Sequence, residues 1–309
     1  MDLISVIMPA YNASRFVREA IESILAQDYA HFELIVVDDC STDKTGQICS
    51  EYAQLDPRVK VLRTQVNSGI TGALNVGLAA ARGALIARMD ADDISLPSRL
   101  SRQRNHLRDH PEIGLCGMAI EVIDADGRPL RRPATAVGAD LTERLAAWCS
   151  PLAHPTWMFR REVFDVIGGY RDLAPAEDYD FLLRVLAADW KLDNIHDLGL
   201  RYRVSASSTA SRRALTQRKA FNFVRRIHRN KEEFTRSSFL ASTTSSPLMT
   251  RMHQIAEGML ASAAAWYSVF KPLALVPLVA ALLLSPYQVQ FVFRAIVVKW
   301  LIYRQAAHG

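Results

Sequence analysis

The fold is decided by LISVIMPAYN (residues 3–12) and FELIVVDDCSTD (residues 32–43), two apolar runs that each end in a polar segment. Apolar, β-branched runs of this length predict buried strands, and the Pro, Asn, Ser and Asp that follow predict loops. Helical spacing of apolar residues comes after each loop, over Ser14–Gln27 and Thr45–Leu55. The chain therefore begins with a strand–loop–helix unit that is repeated once.

The alternation continues through the first hundred residues. Val59–Leu62 and Ala84–Met89 are predicted strands, and a helix of small residues is predicted between them over Gly72–Ala81. Strands that alternate with helices predict an α/β fold with a Rossmann-like, mostly parallel sheet, which binds ligands at the carboxyl ends of its strands. Four acids follow predicted strands and should converge on one crevice: Asp38, Asp39, Asp90 and Asp92.

The composition changes in the last third of the chain. We expect one α/β domain over residues 1–210 and a helical appendage over residues 211–309. Arg212–Lys231 holds eight Lys or Arg and no acid, and a strongly apolar tail comes later. Ser237–Ser246 is predicted to be a polar linker between them, because Ser and Thr dominate it.

Length and composition exclude several classes of protein. With 309 residues, half of them hydrophobic, the chain can bury a large core and is not intrinsically disordered. Asp2 stands where a secretory signal peptide needs basic residues, and the first apolar run stops at Pro9, so the expected location is the cytoplasm. The four cysteines form no Cys-x-x-Cys pair, which indicates reduced thiols rather than a disulfide framework or a zinc site.

Asp90 and Asp92 form an Asp-x-Asp pair directly after a predicted strand. Carboxylates at this spacing can bind Mg²⁺ or Mn²⁺, whose remaining ligands can be the phosphates of a substrate. Because Asp is common in loops, an isolated Asp-x-Asp is more often a solvated turn. The rest of the chain has to decide between these interpretations.

Four segments mark the ends of predicted strands or the start of a predicted helix. They are SVIMPAYN (residues 5–12), VVDDCSTD (36–43), MDADD (89–93) and AEDYDF (176–181). In this order and at this spacing they resemble the family-2 glycosyltransferases of GT-A fold, and the likeness covers roughly residues 3–205. It implies a catalytic domain over residues 1–210, with a nucleotide-sugar half over about 1–100 and an acceptor half over about 101–210.

The resemblance implies a donor site at the ends of the first strands. Its nucleotide-binding residues would be Pro9, Ala10, Tyr11, Asp38 and Asp39, with Tyr11 available to stack on the base. Asp90 would lie near the ribose or the metal, and Asp92 would coordinate the metal, Mn²⁺ or Mg²⁺. Structural roles remain open for three of them: Tyr11 as a loop anchor, Asp38 as a loop support and Asp39 as a helix N-cap. For Asp93, which follows the pair, an ordinary turn residue is likewise an open interpretation.

Glu177 and Asp178 lie in the approach or first turn of an amphipathic helical segment, Tyr179–Leu186. Acids are favoured there by the helix dipole, so capping is one interpretation. The resemblance implies another, in which Glu177 contacts the substrate and Asp178 is the catalytic base that accepts the proton of the acceptor hydroxyl. Attack opposite the departing diphosphate would invert the anomeric configuration.

The resemblance predicts an inverting, metal-dependent glycosyltransferase of the hexosyltransferase type. It would move one sugar from a nucleotide diphosphate, with UDP favoured by family habit, to a glycan or lipid-linked acceptor in the assembly of cell-surface polysaccharide. The alternatives are a nucleotidyltransferase and a non-catalytic nucleotide-sugar binding protein. Ser205 stands where many relatives have a histidine, so a phosphate or metal contact from that position is not implied. The QxxRW signature of processive synthases is absent. Transfer of one sugar per encounter is therefore expected.

The last hundred residues predict contact with a membrane surface. Arg212–Lys231 has the spacing of a basic amphipathic helix, and Pro272–Phe293, which contains no charged residue, approaches the length of a membrane span. A packed helical subdomain and a single transmembrane helix are the alternatives. No nucleic-acid-binding module surrounds the basic segment, so no nucleic-acid partner is expected. Peripheral attachment at the inner face of the cell membrane would bring the enzyme to a lipid-linked acceptor.

Overall fold

The computed structural model describes residues 2–204, 214–269, 278–279, 281–282 and 285–306. The chain divides into two compact units, Met1–Ser208 and Thr209–Gly309. All the strands that the structure describes belong to the first unit, and the described part of the second unit is helical.

Within the described residues, nine strands form one sheet. In chain order they are β1 Ile4–Ala10, β2 Phe32–Asp38, β3 Val59–Arg63, β4 Leu85–Arg88, β5 Ile94–Ser95, β6 Ile113–Ile123, β7 Pro129–Arg131, β8 Met158–Arg160 and β9 Lys191–Arg203. Their order across the sheet is β3-β2-β1-β4-β8-β6-β9-β5, and β7 pairs with β6. The strands from β3 to β4 are parallel, β8 is antiparallel to both its neighbours, and β6 is parallel to β9. The predicted α/β class is confirmed.

Helices connect and flank these strands. They are α1 Val17–Leu25, α2 Thr45–Leu55, α3 Gly69–Ala80, α4 Arg99–Asp109, α5 Ala139–Ala146, α6 Arg161–Ile167 and α7 Glu177–Ala187, with a short 3₁₀ helix at His154–Thr156. The predicted bounds of α2 agree with the structure, and those of α1 and α3 differ by one to three residues. Helix ends are set by local hydrogen bonds, which a periodic apolar pattern does not encode.

Both faces of the central strands are buried. Ile4, Val6 and Met8 of β1 lie in a core with α1, α2 and α4, whereas Ile7 lies in a second core with α3, α6 and α7. Successive strand side chains point to opposite faces, so a strand covered on both sides reads as a continuous apolar run. Gly77 lets α3 approach the sheet closely, because a Cβ there would lie 2.4 Å from Ile7 Cγ2.

The parallel register brings three strand ends to one edge of the sheet. Ala10 at the end of β1 pairs with Asp38 at the end of β2, and Ile7 pairs with Arg88 at the end of β4. Neighbouring strands are about 4.8 Å apart, so the segments that follow these ends share one opening. Asp39 and the segment Asp90–Asp93 lie at this opening, as the predicted alternation of strands and helices indicates.

The second unit contains α8 Ala214–Asn230, α9 Arg236–Thr243, α10 Pro247–Val269 and α11 Pro286–Ala306. The linker predicted over Ser237–Ser246 is wrong, because most of that segment is α9. Thr235 caps the helix by accepting a hydrogen bond from the Ser238 amide at 3.3 Å, and the buried Phe239 packs on Phe223, with ring centroids 5.4 Å apart. The cap and this packing stabilise a helix whose composition is polar.

Part of the uncharged stretch Pro272–Phe293, including residues 272–277, lies outside the described residues. Among the helices that the structure does describe, none has both the length and the hydropathy that crossing a bilayer requires.

Candidate active site

Asp39, which directly follows β2, is buried and held from one side. Its Oδ1 accepts hydrogen bonds from Thr64 Oγ1 at 2.9 Å, from the Ser68 amide at 2.9 Å and from Ser68 Oγ at 2.8 Å. Its own amide donates to Ala10 O at 2.8 Å. Three donors on one oxygen fix the carboxylate. Because these partners lie at Thr64 and Ser68, Asp39 does not cap α2.

The other predicted nucleotide-binding residues differ from Asp39 in their contacts and exposure. Asp38 is 1% exposed; its Oδ1 accepts from the Ser41 amide at 3.0 Å, and its Oδ2 lies 3.3 Å from Arg63 Nη1. These contacts support the loop after β2. Tyr11 is 50% exposed, so its ring is available for stacking. Pro9 and Ala10 are buried in β1.

The loops after β1 and β2 are tied together by polar contacts. The Asn12 amide donates to Ser41 Oγ at 3.0 Å, and the Thr42 amide donates to Asn12 Oδ1 at 2.9 Å. Asn12 has a φ of 49°, a left-handed conformation that Asn tolerates better than most residues. The sequence analysis did not identify this link, although an Asn directly after the first strand was visible.

The segment after β4 forms an acidic cluster. Asp90, Asp92 and Asp93 each offer a carboxylate oxygen, and these oxygens lie within 4.8 Å of one another. Arg88 donates from Nη1 to Asp90 Oδ2 at 2.8 Å and from Nη2 to Asp90 Oδ1. The Arg203 amide donates to Asp93 Oδ1 at 2.8 Å, and Arg203 Nε donates to Asp92 O at 2.8 Å. The end of β9 thus fixes the loop that carries the cluster.

The chemistry of this cluster fits a hard divalent cation. Its carboxylates supply the oxygen ligands that Mg²⁺ and Mn²⁺ prefer. Asp93 is 1% exposed, and its Oδ2 has no hydrogen-bond partner among the described residues, so a cation would satisfy a buried polar atom. Asp93 is therefore a candidate ligand. The sequence analysis named Asp90 and Asp92 for the metal and gave Asp93 only as a turn residue whose functional role was open.

Burial and the charges of neighbouring acids raise the pKa values of two members of the cluster. The surrounding protein desolvates the Asp92 carboxyl although its side chain is exposed, and this, together with the charge of Asp90, raises the pKa of Asp92 to about 6. Burial and the charges of Asp90 and Asp92 raise the pKa of Asp93 well above its ordinary value. A positive ion in the cluster would relieve both effects.

Glu177 and Asp178 open α7 and form a second acidic group. Glu177 is 8% exposed, and its Oε2 has no hydrogen-bond partner within the described part of the chain. Burial, followed by the charge of Asp178, raises the pKa of Glu177 to about 7. Asp178 is partly exposed, and its Oδ1 accepts from the Tyr179 amide at 2.7 Å. Burial raises the pKa of Asp178, so this carboxylate is more basic than a free one.

Asp180, two residues farther along α7, has a structural role. It is fully buried and pairs with Arg184 Nε at 2.8 Å and with Arg171 Nη1 at 3.5 Å. Arg184 also donates to Ile167 O and Gly169 O, which ties α7 to the end of α6.

The side chains of Arg88, His154 and Tyr170 lie near the two acidic groups. Arg88 is 3% exposed, and its charge acts on Asp90, Glu177 and Asp178. His154 Nε2 lies 2.9 Å from Tyr170 Oη. Burial, followed by the charge of Arg88, lowers the pKa of His154 well below its ordinary value, so its ring is neutral. The two side chains are thus joined by a hydrogen bond between a neutral ring and a phenol.

The comparison with known proteins identifies the family. Residues 5–168 match the sequence model of Glycosyl transferase family 2. The chain belongs to this family. This family-2 glycosyltransferase is also 32% identical over 217 residues to the O-antigen biosynthesis glycosyltransferase WbnJ of Escherichia coli, an alignment that covers 68% of this chain and 82% of WbnJ. The prediction that the protein is a glycosyltransferase is confirmed.

Solved structures show the fold of the family-2 glycosyltransferase. The mannosyltransferase PcManGT of Pyrobaculum calidifontis, solved with GDP-Man and Mn²⁺, superposes with a TM-score of 0.61 at 19% identity, covering 97% of this chain and 87% of that one. S. aureus TarS 1-349 with UDP-GlcNAc gives a TM-score of 0.57 at 20% identity, covering 93% and 90%. These are GT-A glycosyltransferases, so the predicted GT-A fold is confirmed.

Proposed function

We propose that the enzyme transfers one sugar from a nucleotide diphosphate sugar, a UDP-sugar, to a hydroxyl group with inversion and with the help of Mn²⁺ or Mg²⁺. The proposal depends on two acidic groups, Asp90–Asp93 after β4 and Glu177–Asp178 at the start of α7. The charge of Arg88 lowers the pKa of acids in both groups. One group suits a metal-bound diphosphate and the other suits a proton acceptor. Structures of this fold with UDP-GlcNAc, and with GDP-Man and Mn²⁺, support a donor and a metal of this kind.

The donor nucleotide is proposed to lie against the ends of β1 and β2. Thr64 and Ser68 occupy Oδ1 of Asp39, whereas its Oδ2 accepts no hydrogen bond from the described residues. That oxygen can accept the imide N–H of uracil, and the exposed ring of Tyr11 can stack on the base. Asp38, with Pro9 and Ala10, shapes the surface beneath.

The metal is proposed to be held by Asp92, with Asp90 and Asp93 beside it. When bound, a divalent cation offsets the negative charge of the diphosphate leaving group. Asp92 is the exposed member of the cluster and is therefore accessible to a metal–nucleotide complex.

Asp178 is proposed to be the catalytic base. Its carboxylate accepts the proton of the acceptor hydroxyl as that oxygen bonds to the anomeric carbon and the bond to the diphosphate oxygen breaks. The products are the inverted glycoside, a nucleoside diphosphate and protonated Asp178, so no covalent enzyme intermediate is required. Glu177, whose pKa of about 7 keeps it partly protonated near neutral pH, can donate a hydrogen bond to substrate.

The second unit is proposed to lie on the cytoplasmic face of the cell membrane. Residues 209–309 contain fourteen Lys or Arg and three Glu, which suits an anionic lipid surface. Four exposed apolar side chains of α11 recur every three or four residues and form one stripe: Val289, Phe293, Ile296 and Trp300. Lys299 is exposed beside this stripe. Residues 1–210 would then be the catalytic domain and residues 211–309 its membrane-associating part.

A lipid-linked acceptor is proposed on the strength of this membrane contact. The name of WbnJ, an O-antigen biosynthesis glycosyltransferase, supports a role in cell-surface polysaccharide assembly. The test is product analysis with a panel of UDP-sugars, Mn²⁺ and lipid-linked acceptors. We expect release of UDP that depends on both metal and acceptor, with an inverted linkage in the product. Release of pyrophosphate would instead identify a nucleotidyltransferase.

A further inference from the structure

The side-chain amide of Asn75, in the middle of α3, pairs with the backbone of one distant residue. Its Oδ1 accepts a hydrogen bond from the Tyr170 amide at 2.8 Å, and its Nδ2 donates to Tyr170 O at 2.8 Å. Both polar atoms of the Asn75 side chain are thus used on a segment 95 residues away along the chain. Asn75 therefore ties α3 to the segment between α6 and α7.

Gly169 makes room for this pairing. An added Cβ at Gly169 would lie 2.4 Å from Asn75 Oδ1 and 3.1 Å from Asn75 Cγ, and its three nearest atoms would all belong to the Asn75 side chain. The φ of Gly169 does not fall in the left-handed region that favours glycine. The close approach of Asn75, rather than a left-handed φ, therefore excludes a side chain at this position.

The same segment is also held by α7. Arg184 donates from Nη2 to Gly169 O at 2.8 Å, and the Tyr170 ring stacks on Phe181, with ring centroids 4.6 Å apart and planes at 26°. Burial raises the pKa of the Tyr170 hydroxyl well above its ordinary value, and the negative charge of Asp178 adds to the rise. Because such charge effects weaken with distance, Tyr170 lies near the proposed catalytic base.

The beginning of α3 reaches the proposed nucleotide site. Ser68, the residue before α3, donates from its amide and its Oγ to Asp39 Oδ1 at 2.9 and 2.8 Å. Asn75 lies about 10 Å farther along the helix axis, at 1.5 Å per residue. Because α3 packs closely on β1, its place on the sheet is fixed. One helix and its N-cap residue therefore contact both Asp39 and Tyr170.

We propose that Asn75 is a positioning residue for the catalytic base: by holding the Tyr170 backbone, it sets the place of the Glu177–Asp178 group relative to a nucleotide bound at Asp39. The inference rests on the proposed function, because it takes Asp178 as the base and the ends of β1 and β2 as the nucleotide site. It assigns Asn75 no contact with the reacting atoms. A base must lie within hydrogen-bond reach of the hydroxyl that it deprotonates, so a shift of about 1 Å can cost about 10²-fold in rate.

The experiment compares turnover with donor binding on the full chain. Turnover is UDP release with the UDP-sugar and acceptor that give transfer in the panel described above, and binding is calorimetric titration of UDP with Mn²⁺. The variants are Asn75→Ala, Gly169→Ala and the two combined. Arg161→Met is the matched control, because Arg161 ties the start of α6 to the segment that follows α3. Its Nε donates to Gly83 O at 2.8 Å, and its Nη2 donates to Ala81 O at 2.6 Å.

We expect Asn75→Ala to lower kcat about 10–100-fold, while the dissociation constant of UDP stays within about twofold. Gly169→Ala should lower kcat to a similar extent, because its Cβ displaces the same contact. The double variant should be no slower than Asn75→Ala, since the atoms that the new Cβ would meet are gone. Arg161→Met should lower the melting temperature by about 2–8 °C, as Asn75→Ala does, because each loses two hydrogen bonds, but it should leave kcat within about twofold.

Four results would overturn the inference. Wild-type kcat in Asn75→Ala, or in Gly169→Ala if Asn75→Ala does not fold, would remove the positioning role. Additive losses of kcat in the double variant would show that the two positions act separately. An equal loss of kcat in Arg161→Met would show that any loosening of α6 from α3 has the same effect. A loss of UDP affinity as large as the loss of kcat would make Asn75 a support of the donor site instead.

Failure of the proposed function has a different outcome. The wild type would then release no UDP with any donor and acceptor of the panel. Failure of this inference alone leaves wild-type transfer and UDP binding intact.

Discussion

Replacing Asp178 by Asn should separate donor binding from chemistry. The Asp178 side chain makes one described hydrogen bond, from the Tyr179 amide at 2.7 Å within its own helical turn, and an Asn oxygen can accept it equally well. The substitution removes a charge that the dipole of α7 favours by about 0.3–1 kcal/mol, but it also removes repulsion with Glu177. We therefore expect the free energy of unfolding to change by less than about 1 kcal/mol.

The expected effect on catalysis is much larger. A positioned general base contributes about 10²–10⁴-fold to a rate, which corresponds to about 2.7–5.4 kcal/mol of activation free energy. The amide of Asn cannot take up the acceptor proton, so kcat should fall by that factor. Because Asp178 is not among the residues proposed to hold the nucleotide, the dissociation constant of UDP should stay within about twofold.

The assay pairs a UDP-release measurement with calorimetric titration of UDP and Mn²⁺. Asp180→Asn serves as a contrast on the same helix, because it breaks a buried ion pair with Arg184 and should cost about 3–5 kcal/mol of stability. Wild-type turnover in Asp178→Asn would show that this residue is not the base. Loss of UDP binding in a folded Asp178→Asn would place it in the donor site instead.

Three further predictions follow from the same structure. Asp92→Asn should abolish the dependence of UDP affinity on Mn²⁺, as measured by calorimetry, and an unchanged dependence would remove Asp92 from the metal site. The pKa of Glu177 is raised to about 7 from 4.5, so stability without ligands should rise as pH falls from about 7 to about 4.5. Thermal unfolding of Glu177→Gln should lack that component. The double substitution Phe293→Ser and Trp300→Ser should reduce co-sedimentation of the protein with anionic liposomes. Leu55→Ser, which alters an exposed apolar residue of the first unit, should not reduce it. If the double substitution abolishes self-association and leaves liposome binding unchanged, the stripe is a dimer surface.

The elements that could be predicted from the sequence are those with a strong local pattern. β1 and β2 are continuous apolar runs because both their faces are covered, and each is followed by turn-forming residues. Helix α9 could not be predicted in the same way, because RSSFLAST has a weak apolar period. Its stability depends on the Thr235 cap and on the contact of Phe239 with Phe223, a residue of another helix. Such a contact is not visible in a local window of sequence.

The same distinction applies to the candidate site. Asp38, Asp39, Asp90 and Asp92 could be placed at one edge because the topology of a parallel sheet fixes where strand ends lie. The arginines that organise them depend on the tertiary fold. Arg203 lies at the end of β9, 110 residues from Asp93, yet its amide donates to that carboxylate. The sequence gives no sign of this partner.

The crowding of acids at the candidate site lowers the stability of the protein when all of them are charged. Asp92, Asp93, Glu177 and Asp178 all have raised pKa values, so the folded protein holds them in their charged forms less favourably than an unfolded chain would. Arg88 offsets part of this repulsion, but its guanidinium already pairs with Asp90. We propose that a divalent cation at one acidic group and the acceptor proton at the other supply the positive charge that these groups lack. On that proposal, the fold gives up some stability to keep a site that favours the metal at one acidic group and proton uptake at the other.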